Sequence, residues 1–415
     1  MFKIAIIGYG YVGKILANRL KDSYETICYD CDKNKILENI ATDTLKLTCK
    51  QEDIKNCNVY IITVQTPLDI NNKPDLSYIE KSTRLVAKYI NQGDVIIYES
   101  TVFPGVTENI CIPIIENNSK LKLNEDFYVV YSPERVSPCD SGCNIEEISK
   151  IVSGTSQKAV DIAKKIYSRV TNKSIYIASN IQIAEAAKLL ENLQRDVNIA
   201  LMNEYFMVLK NLNIDFFEVL EAAKTKWNFN LYYPGYVGGH CIGVDTQYYV
   251  HIAKLHNINP LMGESARFTN EQMITYISKL ITDYKCKLAK KIRVGIIGVT
   301  YKPNCDDIRN SAAIKIINKL SRYDKDIEVV VYDPIANKRE LSEEKIYLSQ
   351  YEDLKNLDIL LCMSYHDIFN NIRFTKDMFS FEDNIIVIDL YKKLTDLQMY
   401  NLLYHNNEEY LWNYS

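Results

Sequence analysis

The sequence of 415 residues lacks any apolar run of membrane-spanning length and any surplus of basic residues. Its 49 Lys and Arg residues are offset by 53 Asp and Glu residues, which gives a formal net charge of -4 at pH 7. Such an interspersed charge argues against a nucleic-acid-binding surface. The first residues also lack the basic region, apolar segment and small-residue cleavage site of a secretory signal. We therefore expect neither a nucleic-acid partner nor a membrane segment.

Disulfide and zinc signatures are missing too. The 11 cysteines are scattered and odd in number, in a chain too long to need disulfide bonds for its stability. Cys28 and Cys31 form one C-x-x-C, and Cys139 and Cys143 lie close together. No second C-x-x-C completes a zinc ligand set. The sequence therefore predicts reduced thiols in a cytoplasmic protein and no bound metal.

What the sequence does contain begins with a dinucleotide-binding motif. An apolar run at residues 3–7 predicts a buried strand, followed by GYGYVG and a helical pattern, which is G-x-G-x-x-G in its proper context. Asp30 ends the next predicted strand, where an acid binds a ribose 2′-hydroxyl; the alternative is an ordinary turn residue. Because this carboxylate repels a 2′-phosphate, we expect NAD. The predicted contacts of the motif are Gly8, Gly10, Tyr11, Val12 and Gly13.

Three further strand-like runs, at residues 58–64, 94–98 and 127–131, each lead into a polar turn. Ligands of open α/β sheets bind at the carboxyl ends of the strands, so these turns are predicted to line a ligand site. Their candidate site residues are Thr66, Ser100, Thr101, Glu134 and Arg135. Glu134 is a candidate acid or base, or alternatively a surface or Arg-paired carboxylate.

Residues 181–212 predict one long helix, because the helical pattern contains no Gly or Pro. Apolar residues recur around much of its surface, which suits a helix that links domains and packs against a second subunit. Glu185, Lys188 and Asn192 share one face. This stripe is either a solvated face or a site in which Lys188 and Asn192 donate hydrogen bonds to an oxyanion.

The segment GYVGGHCIGVD, residues 235–245, places Cys241 at the predicted start of a helix. A cysteine at a helix N-terminus can act as a thiolate nucleophile, and Asp245 follows one turn later on the same face. The alternative is that Cys241 is a small buried hydrophobe. A cysteine beside a hydride acceptor suggests oxidation of an alcohol or aldehyde through a thiohemiacetal and a thioester.

The C-terminal third repeats the pattern of strands, with an aspartate, Asp333, in the position equivalent to Asp30. Gly298 is not followed by a glycine motif, so we expect no dinucleotide pyrophosphate to bind there in the same way. Lys302 and Arg309 instead suit a nucleotide diphosphate, unless they are ordinary surface cations. The predicted fold class is α/β, with two Rossmann-like doubly wound parallel-sheet domains joined by a long central helix and a helical middle domain. The predicted boundaries are 1–180, 181–288 and 289–415.

Six segments together resemble the UDP-glucose/GDP-mannose dehydrogenase family, over nearly the whole chain and in order. They are GYGYVG, ESTVFPG, SPERV, AEAAKLLEN with RDVNIALMNE, GGHCIGVD and YKPNCDDIRNS. The resemblance implies two-step oxidation of a sugar C6 alcohol to a carboxylate, with two NAD⁺ per sugar, by a homodimer formed through the long helix.

The resemblance also implies residue roles. Cys241 looks like the nucleophile, Lys188 and Asn192 like the oxyanion-stabilising pair, and Asp245 with Thr101 like the groups that order water and assist proton transfer. Glu134 resembles the carboxylate implicated in thioester hydrolysis. The residues that look like nucleotide-sugar contacts are Glu134, Arg135, Lys188, Asn192, Tyr232, Gly235, Arg267, Lys302 and Arg309.

The residues around Cys241 indicate the subgroup. His240 before the cysteine and Ile-Gly-Val-Asp after it are similar to dehydrogenases of UDP-N-acetylhexosamines, namely UDP-GlcNAc, UDP-GalNAc or UDP-ManNAc, which serve surface polysaccharide synthesis (capsule or O-antigen). Two positions depart from the family pattern: residues 246–249 read TQYY in place of Pro-Tyr-Tyr, and Gln194 replaces a common aromatic. The alternatives are a UDP-glucose 6-dehydrogenase and a non-catalytic nucleotide-sugar binder.

Overall fold

The computed structural model describes residues 2–40, 45–136, 144–323, 325–379 and 386–403. Cys139 and Cys143 lie outside these residues. The chain divides into two compact units, Met1–Asn192 with Gln247–Asn259, and Leu193–Thr246 with Pro260–Ser415. We call them the first unit and the second unit. Within the described ranges, no helix is long and apolar enough to cross a membrane.

The first unit is built on a twisted sheet of eight described strands, in the order β3-β2-β1-β4-β5-β6-β7-β8. The strands are β1 (Lys3–Ile7), β2 (Glu25–Tyr29), β3 (Lys46–Thr48), β4 (Val59–Ile62), β5 (Val95–Tyr98), β6 (Tyr128–Tyr131), β7 (Lys150–Gly154) and β8 (Ile175–Ile177). The helices are α1 (Tyr11–Leu20), α2 (Lys33–Ile40), α3 (Ser77–Ala87), α4 (Ile112–Ser119) and α5 (Gln157–Tyr167).

The central strands of this sheet are buried on both faces. The segments VYII, VIIY and YVVY of β4, β5 and β6 are buried at every position, which is typical of a parallel sheet covered by helices. Strands β1 to β6 run parallel, whereas β6 and β7 pair antiparallel through Val130 and Gly154. The described sheet is therefore parallel except at the pairing of β6 with β7, since β7 and β8 are parallel to each other.

The second unit contains a smaller parallel sheet in the order β10-β9-β11-β12 among its described residues. Its strands are β9 (Ile292–Ile297), β10 (Ile327–Tyr332), β11 (Ile359–Cys362) and β12 (Ile386–Asp389). Its helices are α7 (Phe216–Ala223), α9 (Leu261–Leu288), α10 (Ala312–Tyr323) and α11 (Lys338–Glu343). Ile277, Ile281 and Ile316 on α9 and α10 pack into one core with Ile296 of β9.

Two helices contain the boundaries between the units: α6 (Ile181–Asn211) and α8 (Ile242–Leu255). Helix α6 has 31 residues and ends within one residue of the predicted range. The predicted fold class, two Rossmann-like sheets and a long central helix, is confirmed. The division into three domains remains a prediction.

The same turn follows the first strand of each sheet. Gly8 has a φ of 104° and its N–H donates to the Tyr29 carbonyl at 2.8 Å. Gly298 has a φ of 71° and its N–H donates to the Tyr332 carbonyl at 3.0 Å. A side chain is strained in this conformation, so both sheets depend on glycine here. Both turns bring the chain past the aspartate that ends the neighbouring strand.

Candidate active site

The turn between β1 and α1 fits the pyrophosphate of NAD. A Cβ on Gly13 would lie 2.0 Å from the Gly8 carbonyl oxygen, so only glycine permits this close packing of turn and helix. Gly10, at the N-terminus of α1, faces open space, which leaves room for a ligand near the positive end of the helix. Tyr11 is exposed and Val12 partly exposed at the same helix start.

Asp30 lies at the end of β2 beside this turn. Its Oδ2 accepts a hydrogen bond from the Tyr9 N–H at 2.8 Å, and its Oδ1 accepts one from the Asp32 N–H at 2.9 Å. Each oxygen keeps a second lone pair for a donor such as a ribose hydroxyl. The turn and the carboxylate therefore lie together as the sequence predicts, and they fit a dinucleotide.

Hydroxyl groups join the two loops that follow β4 and β5. The Thr66 hydroxyl donates to the Thr101 carbonyl at 2.8 Å, and the Ser100 hydroxyl donates to the Val64 carbonyl at 2.6 Å. Tyr248, from α8 but in the same unit, donates to the Thr66 carbonyl at 3.0 Å. The predicted cofactor residues Thr66, Ser100 and Thr101 are therefore close together. The hydroxyls of Thr66 and Ser100 hold the two loops in place.

Glu134 is held by the backbone that follows it. Its Oε1 accepts hydrogen bonds from the Arg135 and Val136 N–H groups, at 2.6 and 2.5 Å. Its buried Oε2 accepts no hydrogen bond from a described residue and lies 3.8 Å from Nζ of Lys150. Glu134 is thus oriented at one oxygen and has hydrogen-bonding capacity at the other.

Lys150 is a buried cation that the sequence did not indicate. Its Nζ donates to Oε2 of Glu99 at 2.7 Å and lies 4.7 Å from the centre of the Tyr167 ring. Tyr167 donates to the other oxygen of Glu99. Burial raises the pKa of Glu99 to about 7, although Lys150 opposes that rise. Lys150 therefore lies between two carboxylates, those of Glu99 and Glu134.

Arg135 is paired with helix α6. Its guanidinium lies 2.7 Å from a Glu191 oxygen and also donates to the Ser149 carbonyl at 2.9 Å. A substrate contact at Arg135 must therefore compete with Glu191.

Helix α6 carries a line of polar residues into the interior. Glu185 and Asp196 are completely buried, Asn192 is buried and Lys188 is partly buried, at spacings of three, four and four residues. Glu185 accepts hydrogen bonds from the Gly105 and Thr107 N–H groups, at 2.6 and 3.0 Å. Glu185 therefore anchors the loop that begins with Ser100 and Thr101.

Cys241 lies one residue before α8, and Asp245 is buried in the first turn of that helix. The Asp245 N–H donates to the Cys241 carbonyl at 2.8 Å, which is the first hydrogen bond of the helix. The Cys241 sulfur lies 3.2 Å from Nδ1 of His240. Nε2 of His240 lies 3.4 Å from Oδ2 of Asp307, in the turn after β9. No sequence pattern predicts this contact between His240 and Asp307.

Arg267 and Gly235, two predicted substrate contacts, belong to one buried polar network of the second unit. Arg267 forms two hydrogen bonds with the Asp196 carboxylate, at 2.6 and 2.5 Å. Asn270 donates to Asp196 at 2.7 Å and accepts from Asn203, whose side chain bonds both backbone groups of Gly235. The network ties α6 and α9 to the segment that carries Cys241.

A guanidinium nitrogen of Arg267 lies directly against that segment. A Cβ on Gly243 would lie 2.4 Å from Nη1 of Arg267, so the glycine makes room for it. Arg309, by contrast, donates from Nε to both oxygens of Asp307, at 2.9 and 3.0 Å. Lys302 and Tyr232 are both partly exposed in the second unit. The guanidinium of Arg309 is therefore paired with a carboxylate, as that of Arg267 is.

The second sheet differs from the first at its aspartate. Oδ2 of Asp333 accepts from the Val299 N–H at 2.7 Å and lies 3.0 Å from Nε2 of the completely buried His366. Nδ1 of His366 accepts from the Asn304 N–H at 2.9 Å, which fixes the turn that contains Lys302. His366 thus fills the position beside Asp333. Over the ranges that the structure describes, no cluster of His, Cys, Asp and Glu could hold a metal ion.

Three family models match the chain. They are the NAD binding domain, the central domain and the UDP binding domain of the UDP-glucose/GDP-mannose dehydrogenase family, over residues 36–171, 182–272 and 295–396. Together with the dinucleotide turn, they define an NAD-dependent UDP-sugar dehydrogenase, an oxidoreductase.

Relatives agree with this class. The chain is 40% identical to the UDP-N-acetyl-D-glucosamine 6-dehydrogenase of Salmonella typhi, over 82% of this chain and 84% of that one. It is 39% identical to Protein CapL of Staphylococcus aureus, over 86% and 88% of the two chains. The structure of the UDP-D-ManNAc dehydrogenase from Pyrococcus horikoshii matches with a TM-score of 0.82 at 30% identity, over 93% and 94% of the chains. The chain belongs to the UDP-glucose/GDP-mannose dehydrogenase family, as its motifs predict.

Proposed function

We propose that this enzyme oxidises the C6 hydroxyl of a UDP-N-acetylhexosamine to a carboxylate, with two NAD⁺ per sugar, for surface polysaccharide synthesis. The observation that carries the proposal is the position of Cys241 at the start of α8, with the buried Asp245 in the first turn. The 40% identity to a relative named UDP-N-acetyl-D-glucosamine 6-dehydrogenase makes UDP-GlcNAc the first substrate to test.

Covalent capture explains why such a reaction needs a cysteine. When bound, NAD⁺ would supply the hydride acceptor for each of the two oxidations. Cys241 adds to the C6 aldehyde and holds it as a thiohemiacetal, so the sugar stays in place while the cofactor is exchanged. Oxidation converts this adduct to a thioester, and water releases the carboxylate and restores the thiol.

The other roles are part of the same proposal. Lys188 and Asn192 stabilise the oxyanion, and Asp245 and Thr101 order the water and assist proton transfer. Glu134 assists thioester hydrolysis, and its buried Oε2, with no hydrogen-bond donor among the described residues, supports a role in holding water.

Nucleotide-sugar binding is proposed for four residues of the first unit, Glu134, Arg135, Lys188 and Asn192, and for five of the second, Tyr232, Gly235, Arg267, Lys302 and Arg309. The partial exposure of Gly235, Tyr232 and Lys302 supports this role. Arg135 and Arg309 take part only if the diphosphate competes with Glu191 and Asp307.

We also propose that the enzyme is a homodimer and that it acts in the cytoplasm. The proposed domains are 1–180, 181–288 and 289–415. Leu201, Tyr205 and Val208 lie on one face of α6 and are exposed, which supports a helix-mediated dimer. In the described part of the chain nine cysteines are free thiols, which suits a reducing compartment.

The test is NADH formation with saturating NAD⁺ and a limiting amount of UDP-GlcNAc, UDP-GalNAc, UDP-ManNAc or UDP-glucose. We expect two NADH per sugar with an acetamido sugar. Turnover of UDP-glucose alone would refute the proposed substrate class, and one NADH per sugar would refute the four-electron reaction. No NADH with any sugar would favour a nucleotide-sugar binder.

Cys241→Ala and Cys241→Ser test the covalent step in the same assay. We expect a loss of at least about a thousandfold in the rate for Cys241→Ala, because no other group replaces the sulfur. Cys286→Ala, which removes an exposed thiol on α9, is the matched control and keeps its rate. Wild-type rate and stoichiometry in Cys241→Ala would eliminate the covalent mechanism.

A further inference from the structure

Cys241 has a neighbour that the proposed roles do not use. Nδ1 of His240 lies 3.2 Å from the Cys241 sulfur, within hydrogen-bonding distance for sulfur. The other ring nitrogen lies 3.4 Å from Oδ2 of Asp307. These three side chains belong to the same compact unit and form a line from sulfur to imidazole to carboxylate.

Hydrogen bonds determine the charges of His240 and Asp307. Hydrogen bonds to Asp307 and Cys241 raise the pKa of His240 to about 9, against the effects of burial and of Arg309. Burial opposes ionisation of Asp307, but hydrogen bonds from His240 and Arg309 hold its pKa well below its usual value. At neutral pH the ring is therefore an imidazolium and Asp307 a carboxylate.

We propose that Cys241 rests as a thiolate, paired with the imidazolium of His240 that Asp307 holds in place. The inference rests on the proposed function, in which Cys241 is the nucleophile. It assigns His240 a catalytic role, because its ring contacts the reacting sulfur, and makes Asp307 a positioning residue.

The proton transfer is internal and balanced. The Sγ–H bond of Cys241 breaks, the N–H bond at Nδ1 of His240 forms, and the electron pair stays on sulfur. The positive charge on the ring faces the carboxylate of Asp307. The electron pair on the Cys241 sulfur then forms the bond to the C6 carbon of the aldehyde. The π electrons of the aldehyde carbonyl move to the aldehyde oxygen. No further reactant is needed for this step.

Asp307 also connects the nucleophile to a predicted phosphate contact. Arg309 donates to both oxygens of Asp307, so the carboxylate bridges a histidine and an arginine of the loop that follows β9. The Tyr301 ring lies 5.7 Å from that of His240, centre to centre, and packs against it. Among the described residues, His240 therefore has Cys241, Asp307, Arg309 and Tyr301 as its titratable and charged neighbours.

The alternative role for His240 is only to pack against Tyr301. The pH dependence of Cys241 alkylation distinguishes this packing role from stabilisation of the thiolate. The enzyme, without sugar or NAD⁺, is treated with iodoacetamide between about pH 5.5 and 9.5, and the Cys241 peptide is quantified by mass spectrometry. Iodoacetamide reacts with the thiolate. Cys286, an exposed thiol on α9, is the reference within the same digest.

We expect the rate at Cys241 to reach half its maximum at least about one pH unit below that at Cys286, because a neighbouring imidazolium stabilises a thiolate. His240→Gln should move the Cys241 midpoint up to that of Cys286 and slow alkylation about tenfold near pH 6.5. Asp307→Asn should move it in the same direction by less. His256→Gln, at an exposed position after α8, should leave the profile unchanged.

Coincident profiles of Cys241 and Cys286 in the wild-type enzyme would overturn the proposal, and so would identical profiles of wild type and His240→Gln. The wild-type comparison decides even if a variant fails to fold. The assay requires no turnover, so it is independent of the proposed function. Suppose that Cys241 is alkylated at low pH but that the Cys241→Ala variant still makes two NADH per sugar. The ion pair would then be supported, and the role of Cys241 as the nucleophile would be refuted.

Discussion

At the scale of the residue, Lys150 is the least expected group in the molecule. A lysine is almost never fully buried unless it is paired, and the side chain of Lys150 is only 1% exposed. Its partner Glu99 is 51 positions away in sequence and completely buried. Removing one member of such a pair leaves an uncompensated charge in the interior.

Lys150→Met should therefore lower the free energy of unfolding of the first unit by roughly 3–5 kcal/mol. Because the pKa of Glu99 is raised to about 7, its stability contribution is greatest at low pH and is lost as pH rises through that value. The loss in Lys150→Met should thus be larger near pH 8 than near pH 5.5, where Glu99 is protonated. Urea denaturation at the two pH values measures both effects.

The matched control is Lys158→Met. Lys158 also lies over a tyrosine ring, 4.4 Å from the centre of Tyr128, but it is exposed. We expect a loss below about 1 kcal/mol there. Equal losses at the two lysines would show that burial of the Lys150–Glu99 pair is not what stabilises the unit.

The candidate site illustrates what sequence patterns can and cannot predict. The positions of Asp30 beside a glycine turn and of Cys241 at a helix start follow from the sequence, because each depends on near neighbours in the chain. The contact of Lys150 with Glu99, and that of His240 with Asp307, depend on distant segments that fold together. Nothing local to Lys150 distinguishes it from a surface lysine.

For single helices and strands, the predicted bounds agree best with the observed bounds where the local sequence pattern is strong. Helix α6 matches its predicted range because its sequence has no Gly or Pro, and the fully apolar runs of β4, β5 and β6 were found. Strands β3, β7 and β8 were not predicted, and β3 and β8 have only three residues each.

Glu185 gives α6 a pH-dependent function in anchoring the loop at residues 105–107. Burial raises the pKa of Glu185 to about 7, despite hydrogen bonds from Thr107 and Gly105. For a carboxyl group whose folded pKa lies above its unfolded value, the contribution to stability is fully present below the unfolded pKa, near 4.3. It is lost as pH rises through about 7.

Glu185→Gln should remove this dependence. The difference in unfolding free energy between wild type and variant should therefore shift against the wild type by roughly 3 kcal/mol from about pH 4.5 to pH 8. Glu191→Gln, at a partly exposed position of the same helix, is the control and should show a much smaller shift. Parallel pH profiles for wild type and Glu185→Gln would refute the assignment.

At the scale of the whole molecule, the proposed dimer makes a clear prediction. Leu201 and Tyr205 on α6 are 56% and 46% exposed, one turn apart. A double substitution, Leu201→Glu with Tyr205→Glu, places charges where an apolar contact is proposed and should convert a dimer to a monomer. Light scattering after size-exclusion chromatography measures the mass.

Leu37→Glu is the control for this experiment, because Leu37 is a similarly exposed apolar side chain, 66% exposed, on a different helix, α2. It should remain dimeric. A monomeric wild-type protein, or a double variant that stays dimeric, would rule out α6 as the interface.

The repeated turn at Gly8 and Gly298 bears on the ancestry of the chain. In both sheets the glycine is followed by an N–H that donates to the aspartate ending the next strand, Asp30 or Asp333. Duplication of one ancestral half would leave such a pattern. The first copy would then have kept the glycines that admit a pyrophosphate, whereas the second would have lost them and acquired His366 beside its aspartate. Reconstructed ancestral sequences of the second half should therefore contain glycines after Gly298 while they still contain Asp333.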